Sequence, residues 1–212
     1  MPKIKEREYR YYSPLAATTG EKRIDSSFYV EGYATTFNRY ELFEINGRKF
    51  YEEIAPDALS GADMSDVIMQ YDHTGRVLAR QSNGTLGVEA DSKGLFIFAD
   101  LSGSDAAQAL YNDITKGLVT KMSWAFTIAE ESFNEDTSTW TIKKIRKVYD
   151  VSAVSIPANG DTDISARGLE RRSYVTDRQE RLGLRARQLA LKIRIGGKNH
   201  ESRAKQQAGA GN

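Results

Sequence analysis

Between Ser26 and Ile156 the chain is a succession of short aromatic and β-branched runs broken by turn-forming pairs, which restricts it to a mainly β fold. The run at 28–37 (FYVEGYATTF) is the first. Runs at 41–45 and 48–51 flank Asn46-Gly47, a pair suited to a two-residue hairpin because both positions need a left-handed backbone. Pro56, Asp57, Ala58 and Leu59 predict the first turn of a short helix. Further strands are expected at 67–71, 85–90, 95–101, 119–128, 140–147 and 149–156, with Asn83-Gly84 and Lys93-Gly94 as turns. One helix interrupts them. Ser104 caps it, Asp105 suits its first turn, Ala107, Leu110, Tyr111 and Ile114 form its apolar face, and Lys116-Gly117 close it. The fold class is therefore mainly β with surrounding helices (α+β).

Charge divides the chain. Residues 171–212 hold 11 Lys and Arg against 3 Asp and Glu, a net +8, whereas the rest hold 19 against 26, a net −7. Residues 1–25 read as an N-terminal arm and 26–168 as the β-rich domain, which Pro157-Ala158-Asn159-Gly160 ends. Residues 169–197 read as a basic amphipathic helical appendage and 198–212 as a disordered tail. Thr176-Asp177-Arg178-Gln179 has the pattern of a capping box, Leu182, Ala186, Leu189 and Ile193 recur at helical spacing, and Gly196-Gly197 stops the helix.

The absence of cysteine removes disulfides, thiolate nucleophiles and Cys-ligated zinc. With two distant histidines, no metal or other cofactor is expected. No apolar run is long enough to span a bilayer, and the charged N-terminus does not read as a secretory signal, so no membrane role and no secretion are expected. The aromatics lie in the acidic body rather than among the arginines, which argues against nucleic-acid stacking.

His73 is the one histidine outside the basic tail and ends the strand-like run 67–73. Imidazole is the side chain best suited to moving protons near neutral pH. Alternation in 119–128 sets Met122, Trp124, Phe126 and Ile128 on a core face. Ser123, Ala125 and Thr127 then lie on a face of small residues where a substrate could approach. In 67–73, His73 shares a face with Val67, Met69 and Tyr71, while Asp72 points away. Asp150 shares a face with Val148 and Ser152. These positions suggest Ser123 as nucleophile, His73 as general base and Asp150 as the acid that orients the imidazole, with Asp72 as the alternative acid. Each also has an ordinary structural reading: a structural strand serine, a surface histidine, an aspartate paired with Lys147 or a neighbouring arginine.

Four ordered blocks resemble the prohead (head maturation) proteases of tailed bacteriophages, distantly related to herpesvirus assemblins. The first is 32–38 (GYATTFN) with 53–59 (EIAPDAL). The second is 67–73 with 77–80 (VLAR), 84–86 (GTL) and 94–95 (GL). The third is 117–126 (GLVTKMSWAF) and the fourth is 150–159 (DVSAVSIPAN). In that family the histidine of the second block and the serine of the third form the catalytic pair, here His73 and Ser123. The acid opening the fourth block is usually Glu and is here Asp150. The resemblance implies a compact, mostly antiparallel β-barrel like the herpesvirus protease. It implies a serine endopeptidase that cleaves the scaffolding segment from the major capsid protein, and itself, inside the assembling prohead in the host cytoplasm. The alternative is a non-catalytic capsid-assembly protein on the same fold. The major capsid protein and its scaffold are the expected partners, the basic appendage is expected to bind an acidic or helical scaffold, and an oligomer is left open. Arg80, downstream of His73, is a candidate oxyanion contributor.

Overall fold

The computed structural model describes residues 8–17, 21–155 and 171–190. Met1–Ser165 form one compact unit and Ala166–Asn212 a second. The first unit contains strands β1 (Glu8–Ala16), β2 (Tyr29–Thr36), β3 (Tyr40–Ile45), β4 (Arg48–Ile54), β5 (Ile68–Tyr71), β6 (Thr74–Arg80), β7 (Leu86–Ala90) and β8 (Gly94–Asp100). Helix α1 (Asp105–Thr115) and strands β9 (Lys121–Asn134) and β10 (Thr139–Val154) follow. The second contains helix α2, residues 171–190.

The fold is mainly β with two helices, and the strands pair in the order β3-β4-β10-β9-β1-β2-β8-β7. Strand β5 also joins β10, and β6 joins β5. This path is open: among the described residues no sheet closes into the expected barrel. Alternation assigns residues to faces but carries no information on which strands become neighbours, and closure depends on the latter.

Strands β9 and β10 are the spine. They pair antiparallel along nearly their whole length, with Ser152 opposite Ser123 and Asp150 opposite Ala125. The two runs expected at 140–147 and 149–156 merge into one strand. Register shifts between Ile142 and Lys144, Ile145 and Lys147, and Val148 and Asp150 bend β10 without ending it. The other edge of β10 pairs parallel with β4 at Thr139–Ile142 and with β5 from Asp150 to Ala153. Phe133 and Trp140 pack at 4.1 Å between ring centroids where the β9–β10 hairpin turns.

Local chemistry accounts for most element ends. Asn46 (φ 52°) and Gly47 (φ 78°) make the expected two-residue turn between β3 and β4. Ser104 caps α1 by accepting a hydrogen bond from Ala107 N, and the helix buries Ala107, Leu110 and Ile114. The short helix expected at Pro56–Leu59 is instead a series of turns. Ala58 N donates to Ala55 O and Ser60 N to Asp57 O, while the Ala58 carbonyl accepts from Ile145 N of β10. A carbonyl recruited by the sheet cannot propagate a helix. Within the span read as an N-terminal arm, β1 lies between β9 and β2. In α2 the Thr176 hydroxyl donates to the Arg172 carbonyl, so Thr176 sits inside a helix already under way rather than capping it. The Gly196-Gly197 stop, Pro157–Gly160 and the 198–212 tail lie outside the described residues.

Gly94 pairs with Thr36, and a Cβ there would fall 2.0 Å from the Thr35 carbonyl oxygen. Backbone cannot yield as a side chain can. Gly94→Ala is therefore expected to cost about 1–3 kcal/mol, seen as a lower midpoint in thermal unfolding followed by circular dichroism.

Candidate active site

The β5–β6 connection places His73. Tyr71 pairs with Thr74, leaving Asp72 (φ 47°) and His73 (φ 56°) as a two-residue turn, both left-handed. Such a backbone is uncommon outside glycine, and Asp and His are among the residues that tolerate it. Asp72 secures the turn. Its backbone N–H donates to the Ala153 carbonyl at 2.9 Å. Its carboxylate accepts from Ser155 N at 2.9 Å and from the Ser155 hydroxyl at 2.8 Å. The strand alternation expected through 67–73 thus stops at Tyr71, and His73 turns back over the sheet.

Ser123 enters from β9. It is fully buried, as is Ala125. The face of small residues is not an open approach surface: both faces of this part of β9 are covered, one by large side chains and the other closely because its own side chains are small. Ser152 stands opposite Ser123, and Asp150 is two residues before it on the same strand, so all three share one face.

The three elements converge there. The Ser123 Oγ lies 2.5 Å from His73 Nε2, and His73 Nδ1 lies 2.5 Å from Asp150 Oδ1. The Ser152 hydroxyl donates to the same Asp150 oxygen at 2.8 Å. A carboxylate only accepts, so this contact requires the hydrogen on Nδ1. Nε2 then presents a lone pair, and the Ser123 hydroxyl donates to it. The His73 side chain is 9% exposed and that of Asp150 4%. An anion so enclosed is costly without donors, and the imidazole N–H and Ser152 hydroxyl supply them. Sequence reading placed Ser152 on this face but gave it no role. Its position two residues from Asp150 was the available signal.

The other candidates go elsewhere. The Asp72 carboxylate is taken up by Ser155 rather than by the imidazole. Lys147 pairs with Asp63, not Asp150. Arg80 Nε donates to both Asp66 oxygens at 3.0 Å, which commits its guanidinium and holds the Asp66 carboxyl down to about 2. Arg80 is therefore a structural partner of Asp66, not a donor aimed at the serine. Among the described residues no group of three or more His, Cys, Asp or Glu could hold a metal ion, and no helix is long and apolar enough to cross a membrane.

A family model described as caudovirus prohead serine protease matches residues 16–175, more than half of the chain. The chain belongs to this family. It is accordingly a serine peptidase, a hydrolase of tailed bacteriophages that acts in capsid maturation inside the assembling prohead. No curated protein and no solved structure matches it. The family match contains all of β2 to β10, and with them His73, Ser123, Asp150 and Ser152.

Proposed function

We propose that Ser123, His73 and Asp150 are the nucleophile, general base and orienting acid of an endopeptidase. Its substrate is the scaffolding segment of the major capsid protein, and it also cleaves its own chain, inside a prohead assembling in the host cytoplasm. The observation that carries this reading is the unbroken hydrogen-bonded line from Ser123 Oγ through both imidazole nitrogens to Asp150.

A serine hydroxyl is too weak an acid to ionise unaided near neutral pH. As Oγ attacks the scissile carbonyl carbon, Nε2 takes its proton and the carbonyl π electrons move to oxygen. Asp150 stabilises the imidazolium and keeps Nε2 directed at the serine, as in other Ser-His-acid sites. When the tetrahedral intermediate collapses, the imidazolium returns the proton to the departing amine, leaving an acyl-serine. Water, deprotonated by the same imidazole, then releases the acid and restores the hydroxyl. Ser152 acts through the acid, whose Oδ1 accepts its hydroxyl. It is a positioning residue that fixes the Asp150 carboxylate.

The backbone at His73 fits this role. Two successive left-handed residues persist where surrounding contacts over-determine them, and such positions gather at sites that need a side chain aimed. With Ser123 fully buried, a substrate carbonyl reaches Oγ only after the groups above it move aside.

Mass spectrometry of the major capsid protein co-expressed with the protease tests the reading. Two products from one cleavage are expected with the wild type and none with Ser123→Ala. Processing that survives Ser123→Ala would overturn it.

A further inference from the structure

We infer that the groove between the free edge of β6 and helix α1 is a substrate subsite, which adds an extended peptide to β6 and takes one of its aliphatic side chains. This rests on the protease reading and specifies where that enzyme holds its substrate.

Strand β6 pairs with β5 alone among the described strands, so no strand lies along its other edge. The ladder fixes which backbone groups face that edge. Gln81 N donates across to the Val67 carbonyl, whereas Arg80 N turns the other way, to the Thr85 hydroxyl at 2.8 Å. Backbone groups alternate along an antiparallel strand, so the N–H and C=O of Leu78, two residues before Arg80, also face away from β5. An extended peptide recognises such groups without regard to its own sequence, and pockets beside the edge supply selectivity.

A pocket is present beside this edge. A cavity of about 480 Å³ is shared by Leu78 and the start of β6 on one side and by Ala106, Ala109 and Leu110 of α1 on the other. Tyr71 and Thr74, the residues on either side of the Asp72-His73 turn, also line it. It therefore begins one residue from the proposed general base. Tyr71 (39% exposed) and Val77 (43% exposed) make the hairpin an apolar surface beside it.

The chemistry of the lining indicates the occupant. Leu78, Leu110 and the two alanines are aliphatic. The charged groups, Arg76 and Asp113, come from opposite sides of the groove and cancel. Neither is in an ion pair among the described residues. A charged side chain gains nothing net from such a pair and loses its hydration, whereas an aliphatic one buries surface against the floor.

The test uses the full chain, a peptide library from a tryptic digest of a bacterial lysate, and a fluorophosphonate probe that labels Ser123. Wild-type cleavage is expected to favour aliphatic residues at one position. Ala109→Trp fills the cavity from an exposed helix position. It should lower kcat/KM for those peptides about tenfold or more, mainly through KM, and shift that position toward Gly and Ala. Asp113→Lys leaves the groove net positive and should bring acidic residues into the same position, which provides a second reading should Ala109→Trp misfold. Labelling of Ser123 should be unchanged in both variants. A labelled wild type that cleaves no peptide, or cleaves without aliphatic preference, overturns the subsite and leaves the protease reading standing. Position profiles unchanged by both variants overturn it equally. A wild type that the probe does not label removes the protease reading itself.

Discussion

Ser123→Ala is expected to lower kcat/KM for peptide hydrolysis by on the order of 10⁵–10⁶-fold while the thermal midpoint moves by no more than a few degrees. The loss is large because the hydroxyl is the attacking atom and is the group bonded to Nε2. The fold should tolerate the change. The substitution removes one oxygen from a strand serine whose neighbours Ala125 and Ser152 are also small, so the cavity left is slight. His73→Ala should reduce activity to a similar degree, because the two groups act as a unit. The measurement is a progress curve on a cleavable peptide beside a melting curve for each variant. Retention of activity within tenfold in Ser123→Ala would remove the assigned nucleophile.

Asp150→Asn is expected to cost on the order of 10⁴-fold in kcat at nearly unchanged shape. The carboxylate now forces the hydrogen onto Nδ1. An amide in its place can turn its NH₂ toward the ring, which leaves the lone pair on Nδ1 and the hydrogen on Nε2. Nε2 then cannot accept the serine proton. The matching control is Asp72→Asn. Its amide still offers an oxygen to Ser155 N, and its side chain does not touch the imidazole, so kcat should stay within about tenfold of wild type. If Asp72→Asn proved the more damaging of the two, the orienting acid would have been misassigned.

Much of the fold could be read from residues whose local chemistry admits one solution. Asn46-Gly47 made its turn and Ser104 its cap because neither depends on distant partners. Alternation sorted Ser123 from Met122 and Trp124 and grouped Asp150 with Ser152, but it also grouped Asp150 with Val148, which the bulge between them turns to the Phe126 side. What could not be read was set by pairing between distant segments. Nothing within Glu8–Ala16 specifies that it fills the gap between β9 and β2. The runs 140–147 and 149–156 read as two strands, yet bulges carry β10 through both. The Asp72-His73 turn contains no glycine, and its strongest support, Ser155, lies 83 residues away from Asp72. The burial of Ser123 was likewise invisible, since small residues read equally as an open face or a tightly covered one.

The register of the β9–β10 ladder sets where this chain can change length. Ser123 and Asp150 face the same way because Ser152 lies opposite Ser123 and each strand alternates from there. Residues added or lost in the turn between Asn134 and Thr139 are absorbed at the far end of the hairpin, beyond Phe133 and Trp140. One residue inserted between Ser123 and Ile128, or between Val151 and Ser152, would instead rotate a chemical group to the opposite side of the sheet. The hairpin tip is thus where this fold can take up a change in length, while the few residues around Ser123 and Asp150 leave no room for one.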